Sequence, residues 1–175
     1  MSLHHRLPHL LRLLALSGCL AAGTAHASNY SEVTALTKAG QHAAAIEKAN
    51  AYLASNARDP QMRFLKGVAQ SQSGDLAAAT ATLESLIEEY PELPEPYNNL
   101  AVIYASQNQL DKARIALESA VRNNPKYGVA HENLGDIYAR LAHDAYQKSI
   151  QLSGSTRGLQ LKLSTLSSML QPDAP

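Results

Sequence analysis

Residues 97–104 read Tyr97-Asn98-Asn99-Leu100-Ala101-Val102-Ile103-Tyr104, and residues 131–138 read His131-Glu132-Asn133-Leu134-Gly135-Asp136-Ile137-Tyr138. The two blocks agree almost position for position at an offset of 131 − 97 = 34. One interval earlier, Arg63-Phe64-Leu65-Lys66-Gly67 falls on the start of the same block. The small residues Gly67, Ala101 and Gly135 keep the interval, as do Ala79 and Ala113, Leu83 and Leu117, and Pro91 and Pro125. A fixed period of this length marks a chain built from consecutive copies of one small unit.

Each recurring position has a physical role. Leu100 and Tyr104 are four apart, so both project from one face of a helix toward the core. Ala113, Leu117 and Ala120 follow at spacings of four and three, the stripe of a second amphipathic helix. Ala101 is small because that second helix must approach closely there. Gly74 and the Gln107-Asn108-Gln109 segment supply the turns between paired helices. Pro91 and Pro125 stop each second helix and redirect the chain. One such pair cannot cover its own apolar stripe, so neighbours must stack on it.

An aromatic, then Leu, a small residue and Tyr, followed by Ala, a large apolar residue and Pro at these offsets resembles the tetratricopeptide repeat (TPR). The resemblance is fullest in Pro94 to Tyr127 and implies an all-α fold: a right-handed α-solenoid of stacked helix-turn-helix units with a C-terminal capping helix. The expected units are a degenerate first repeat at 28–59, then repeats at 60–93 and 94–127. The fourth, at 128–153, departs from the pattern. After Tyr138 it holds no Gly or Asn turn and is about five residues short. Ala130, Leu134, Tyr138, Leu141, Ala145, Ser149 and Leu152 keep one helical period, which predicts a single helix from about Val129 to Leu152. Gly154 ends it. Leu159, Leu163, Leu166 and Leu170 predict a capping helix over 155–170, and Gln171 to Pro175 are expected to be disordered.

Residues 1–27 read as an export signal. Arg6 and Arg12 precede the apolar run Leu13 to Ala22, and Ala25-His26-Ala27 is the pattern a signal peptidase cleaves. The alternative is a lipoprotein signal, with Leu16-Ser17-Gly18-Cys19 as the processing box and Cys19 lipidated; cleavage after Ala27 is favoured because the apolar core before the box is short. Either way the expected location is the periplasm, or the outer membrane for a lipoprotein, with no membrane span.

The whole chain carries 15 basic and 15 acidic residues. Removing Arg6 and Arg12 leaves 13 − 15 = −2. No stretch gathers four basic side chains, which argues against nucleic acid as a partner. The lone Cys19 excludes an internal disulfide and any cysteine-rich metal site. Beyond the leader only His42, His131 and His143 remain. His131 and His143 stand about 18 Å apart along one helix, too far to share a metal. HExxH and GxSxG motifs are absent, and the glycines form no phosphate loop. The expectation is a protein without enzymatic activity, cofactor or metal.

In the family, the first helix of each repeat lines an inner groove. The resemblance therefore nominates Asn98, Asn99, Val102, Glu132, Asn133, Asp136 and Arg140, with Glu95 nearby, as a peptide-binding surface. Asn99 and Asn133 stand in equivalent register, and an amide both donates to and accepts from a peptide backbone. The set lacks the several Lys/Arg side chains that clamp a terminal carboxylate in chaperone-binding relatives. Glu132 and Asp136 instead favour neutral or modestly basic segments. The expected function is a non-catalytic scaffold of the cell envelope that holds a peptide or helix of a partner protein. The alternatives are a structural subunit or homo-oligomer docking through the solenoid edge or last helix, and an accessory unit of an envelope enzyme.

Overall fold

The computed structural model describes residues 28–170. Cleavage after Ala27, lipidation at Cys19 and disorder of Gln171 to Pro175 concern residues outside that range. Among the described residues the chain forms eight helices and no strand: α1 (28–38), α2 (His42–Leu53), α3 (Pro60–Gln72), α4 (Leu76–Glu89), α5 (Pro94–Ser106), α6 (Leu110–Asn123), α7 (Gly128–Ser153) and α8 (Arg157–Leu170). They divide into two compact units, residues up to Thr82 and residues from Leu83, with α4 running through the boundary.

In the first unit Val33, Ala45, Ala49, Met62 and Ala69 are fully buried, with Leu36, Ile46 and Leu65 packed around them. Small residues on α2 let α3 approach closely. Asp59 caps α3, its Oδ1 accepting from the Met62 N–H at 2.9 Å. Pro60, with no N–H to leave unpaired, begins the helix. The other Asp59 oxygen accepts from Tyr30 Oη at 2.6 Å and Tyr52 Oη at 3.0 Å, tying α1 and α2 to the start of α3.

In the second unit α5 and α6 form the hairpin expected of Pro94 to Tyr127. Ala101, Ala113, Leu117 and Ala120 are all buried, with Ala130 and Ile137 of α7 completing the cluster. Leu100 lies in the core as expected. Tyr104 is only half-buried, because its hydroxyl reaches out to Glu84 at 2.8 Å and the Lys112 ammonium lies 5.4 Å from its ring centre.

The turns keep the repeat interval in backbone conformation as well as in residue type. Gly40, Gly74 and Asn108, each one interval after the last, have φ of +74°, +86° and +57°. Gln109 N–H bonds to Tyr104 C=O and Asn108 N–H to Ala105 C=O, a helix end closed through one left-handed residue. Asn is one of the few non-glycine types that tolerates that conformation. The next position in register is Ala142, within a stretch of good helix formers. There the chain makes no turn: α7 runs unbroken for 26 residues and stops at Gly154, φ +83°. α8 packs back along α7.

The repeat register misleads at one place. Gly67 and Ala101 are buried, but Gly135, equivalent in sequence, is exposed, and a Cβ there would meet nothing within 4 Å. With no second helix folded back in the fourth unit, nothing approaches it.

Candidate functional site

α5 and α7 are neighbouring first helices, and the residues they turn toward each other line an open cavity of about 420 Å³. Val102 and Ala105 come from α5, and Asn133, Asp136 and Arg140 from α7; Ala101, Leu117 and Ile137 also line it. Apolar walls with a few convergent polar groups, at this size, suit a segment of peptide. Val102 is 51% exposed despite its apolar side chain, as a contact residue of an open groove would be.

The nominated residues divide into two sets. Val102, Asn133, Asp136 and Arg140 line the cavity; Asn98, Asn99 and Glu132 do not. Asn98 is 6% exposed and accepts from Asn133 Nδ2 at 2.8 Å, so it joins the two helices instead of facing a ligand. Asn99 donates to the Glu95 carbonyl one turn earlier on its own helix, at 2.9 Å. The equivalence of Asn99 and Asn133 therefore fails in space. One residue along a helix is a rotation of about 100°, which turns Asn98 toward α7 and Asn99 away. Glu132 is exposed beside the groove.

Arg140 is tied down. Its guanidinium donates to Ala105 C=O at 3.3 Å and Asn108 Oδ1 at 3.2 Å, at the C-terminal end of α5 where the helix dipole favours a cation. Asp136 carries no ion pair among the described residues and is exposed. The net character of the groove is thus an available carboxylate beside a committed guanidinium.

Met169 and Leu170 also line the cavity, and sequence reasoning did not place them there. Helical spacing marked Leu170, with Leu159, Leu163 and Leu166, as one face of α8, and it did not single out Met169. Where that helix lands depends on its packing against α7, which no local signal encodes. Among the described residues, no three His, Cys, Asp or Glu side chains stand close enough to hold a metal ion, and no helix is long and apolar enough to cross a membrane.

Tetratricopeptide-repeat family profiles match residues 30–94 and 70–141. No curated protein matches the chain. Among solved structures, the first TPR of Spaghetti (RPAP3) bound to the HSP90 peptide SRMEEVD is similar at a TM-score of 0.60 and 16% identity, covering 66% of this chain and 91% of that one. The thermophilic TPR protein TTC0263 of Thermus thermophilus is similar at 0.60 and 23% identity, covering 81% of each chain. MamA of Desulfovibrio magneticus RS-1 follows at 0.58 and 20% identity, covering 82% of this chain and 76% of that one. With repeat profiles across residues 30–141 and helix pairs turning at a constant interval, the chain belongs to the tetratricopeptide-repeat family, whose members are in general non-catalytic protein–protein interaction scaffolds.

Proposed function

We propose that this protein is an exported scaffold of the bacterial periplasm or envelope, and that it holds a peptide segment of a partner protein between α5 and α7. The observation that carries the binding role is the open cavity lined by Val102, Asn133, Asp136 and Ile137. The RPAP3 repeat with its bound peptide is a precedent for the fold used in this way. The ligand chemistry is different here. SRMEEVD is acidic, whereas this groove offers the free Asp136 carboxylate and keeps Arg140 occupied. A neutral or basic segment with a small apolar side chain toward Val102 and Ile137 suits it. Export is supported by the basic start, the Leu13 to Ala22 run and Ala25-His26-Ala27.

Crosslinking in the envelope followed by identification of captured proteins tests the binding role. Capture should fall at least tenfold with Asn133→Ala plus Asp136→Lys and stay unchanged with Glu132→Ala, which lies outside the cavity. Equal capture by all three forms would remove the groove as the binding surface. Intact-mass analysis of the exported protein tests the address: a chain beginning at Ser28 fits cleavage after Ala27, and a diacylated Cys19 overturns it.

A further inference from the structure

Three helices meet at the groove. Val102 and Ala105 stand on α5, Asn133 and Asp136 on α7, and Met169 and Leu170 on α8. Two large apolar side chains among them lie more in water than in protein: Val102 is 51% exposed and Met169 is 69% exposed. An apolar side chain that lines a cavity and is still mostly wet has contact area left for a ligand, and removing that area from water favours association.

The two α8 residues face differently. Leu170 is half-buried, as are Leu159, Leu163 and Leu166, which share its helical stripe on the helix that packs along α7. Met169 is one residue away, a rotation of about 100°. That turns it off the stripe and leaves it free at the cavity.

This last helix is also the most lightly held of α5 to α8. It has no buried residue, whereas each of the other three has some. Among the described residues α8 packs along α7 and no other helix. The link between them, Ser153-Gly154-Ser155, turns at Gly154 with φ +83°. Few buried apolar contacts give a low free energy of local opening. A wall held in this way can shift to fit what enters, and Met, unbranched and flexible, suits such a position.

Resting on the reading of the groove as a peptide site, we propose that α8 is its third wall. A small aliphatic side chain of the bound segment enters between Val102 and Met169, Asp136 receives a Lys or Arg next to it, and occupancy fastens α8 to the repeat. The ligand class is therefore a segment with Val or a similar side chain beside a basic residue. Charge supports the basic half: Asp136 is exposed and makes no ion pair among the described residues, while Arg140 is held by Ala105 C=O and Asn108 Oδ1.

Fluorescence titration of the full chain with the labelled, end-blocked peptide Gly-Ala-Lys-Val-Ala-Gly, and with its Ala-for-Val version, tests the wall. Wild type should prefer the Val peptide by about tenfold, the worth of two buried carbons. Met169→Ala should lose most of that preference at an unchanged melting temperature, and Met169→Leu should keep it. Leu161→Ala, equally exposed on α8 but outside the cavity, should bind as wild type does. Amide hydrogen exchange over residues 159–170 should slow when the Val peptide is bound. A Val preference that Met169→Ala leaves intact, or strengthens as loss of a competing side chain would, overturns the third wall. So does α8 exchange that ignores the peptide. In those cases the groove itself stands if Asn133→Ala plus Asp136→Lys abolishes binding, and falls if that variant binds as wild type does. Failure of both peptides to bind wild type overturns the groove and the wall together.

Discussion

The Tyr138 hydroxyl donates to Glu118 at 3.1 Å, one repeat interval after the Tyr104 hydroxyl makes the same bond to Glu84 at 2.8 Å. The two bonds give these repeats a polar register in addition to the apolar one: the Tyr of α5 and the Tyr of α7 each bind a Glu on the second helix before it. Burial, and then the bond to Glu84, pushes the Tyr104 phenol up to about 12. Tyr138 is raised too, chiefly by its bond to Glu118.

Tyr104→Phe should lower stability by about 0.5–1.5 kcal/mol, the usual net worth of a hydrogen bond, and Tyr138→Phe by less because Tyr138 is more exposed. Urea unfolding at neutral pH checks the order. For Tyr104 the folded pKa lies above the unfolded one, so its contribution is intact below about pH 10. It is lost as the pH rises toward about 12, where the folded phenol ionises. Tyr104→Phe should remove that alkaline loss.

Asp59 supplies an acid-sensitive contribution in the first unit. Burial works against its charge, but hydrogen bonds from Tyr30, the Met62 N–H and Tyr52 outweigh it and hold the carboxyl below its ordinary value. A folded pKa that is lowered gives stability present above the unfolded value of about 3.9 and lost as pH falls through the folded value. Unfolding midpoints measured from pH 7 down to pH 2 should therefore fall more for wild type than for Asp59→Asn. At pH 7 Asp59→Ala should cost about 1–2 kcal/mol, mainly from loss of the cap.

Core and surface leucines should separate cleanly. Leu117 is 1% exposed, and Leu117→Ala should cost about 2–5 kcal/mol. Leu161 on α8 is exposed, and Leu161→Ala should change stability by less than about 0.5 kcal/mol. Thermal unfolding of the pair gives the comparison.

Two glycines should respond with opposite signs. Gly74 has φ +86°, so Gly74→Ala should cost about 1–2 kcal/mol of backbone strain. Gly135 is in a helix interior with room for a Cβ, and Gly135→Ala should gain about 0.5–1 kcal/mol. Melting temperatures moving in the same direction for both would contradict the account of the turn and of the open face.

Arg140 and Asp136 line one cavity but should act differently. Arg140→Ala removes the cation at the end of α5 and should cost about 0.3–1 kcal/mol. Asp136→Lys should leave stability almost unchanged and shift preference toward acidic peptides. Denaturation and peptide titration of both variants separate the two roles.

The repeat interval, the helix pairs and their turns were legible because each depends on short-range physics: apolar spacing along a helix, a left-handed residue at 40, 74 and 108, and Pro after a helix end. The unbroken fourth unit was legible for the same reason, since residues 139–145 hold no Gly, Asn or Pro. The repeat register went wrong where it was used to compare surroundings across units. Gly67, Ala101 and Gly135 are equivalent in the chain but differ in what approaches them, and Asn99 matches Asn133 in register while Asn98 is the residue that binds it.

Local sequence was enough to establish that this chain folds into paired helices, where each pair turns, and which unit fails to turn. Packing between distant helices established the rest: Asn98 is spent inside the protein, Arg140 is held by the end of α5, Met169 and Leu170 of α8 reach the cavity, and Gly135 and Tyr138 of α7 stay exposed. The first set follows from torsion angles and neighbours three or four positions away. The second depends on how helices far apart in the chain meet, and a small rotation of α7 or α8 would change every one of those contacts without changing the local pattern.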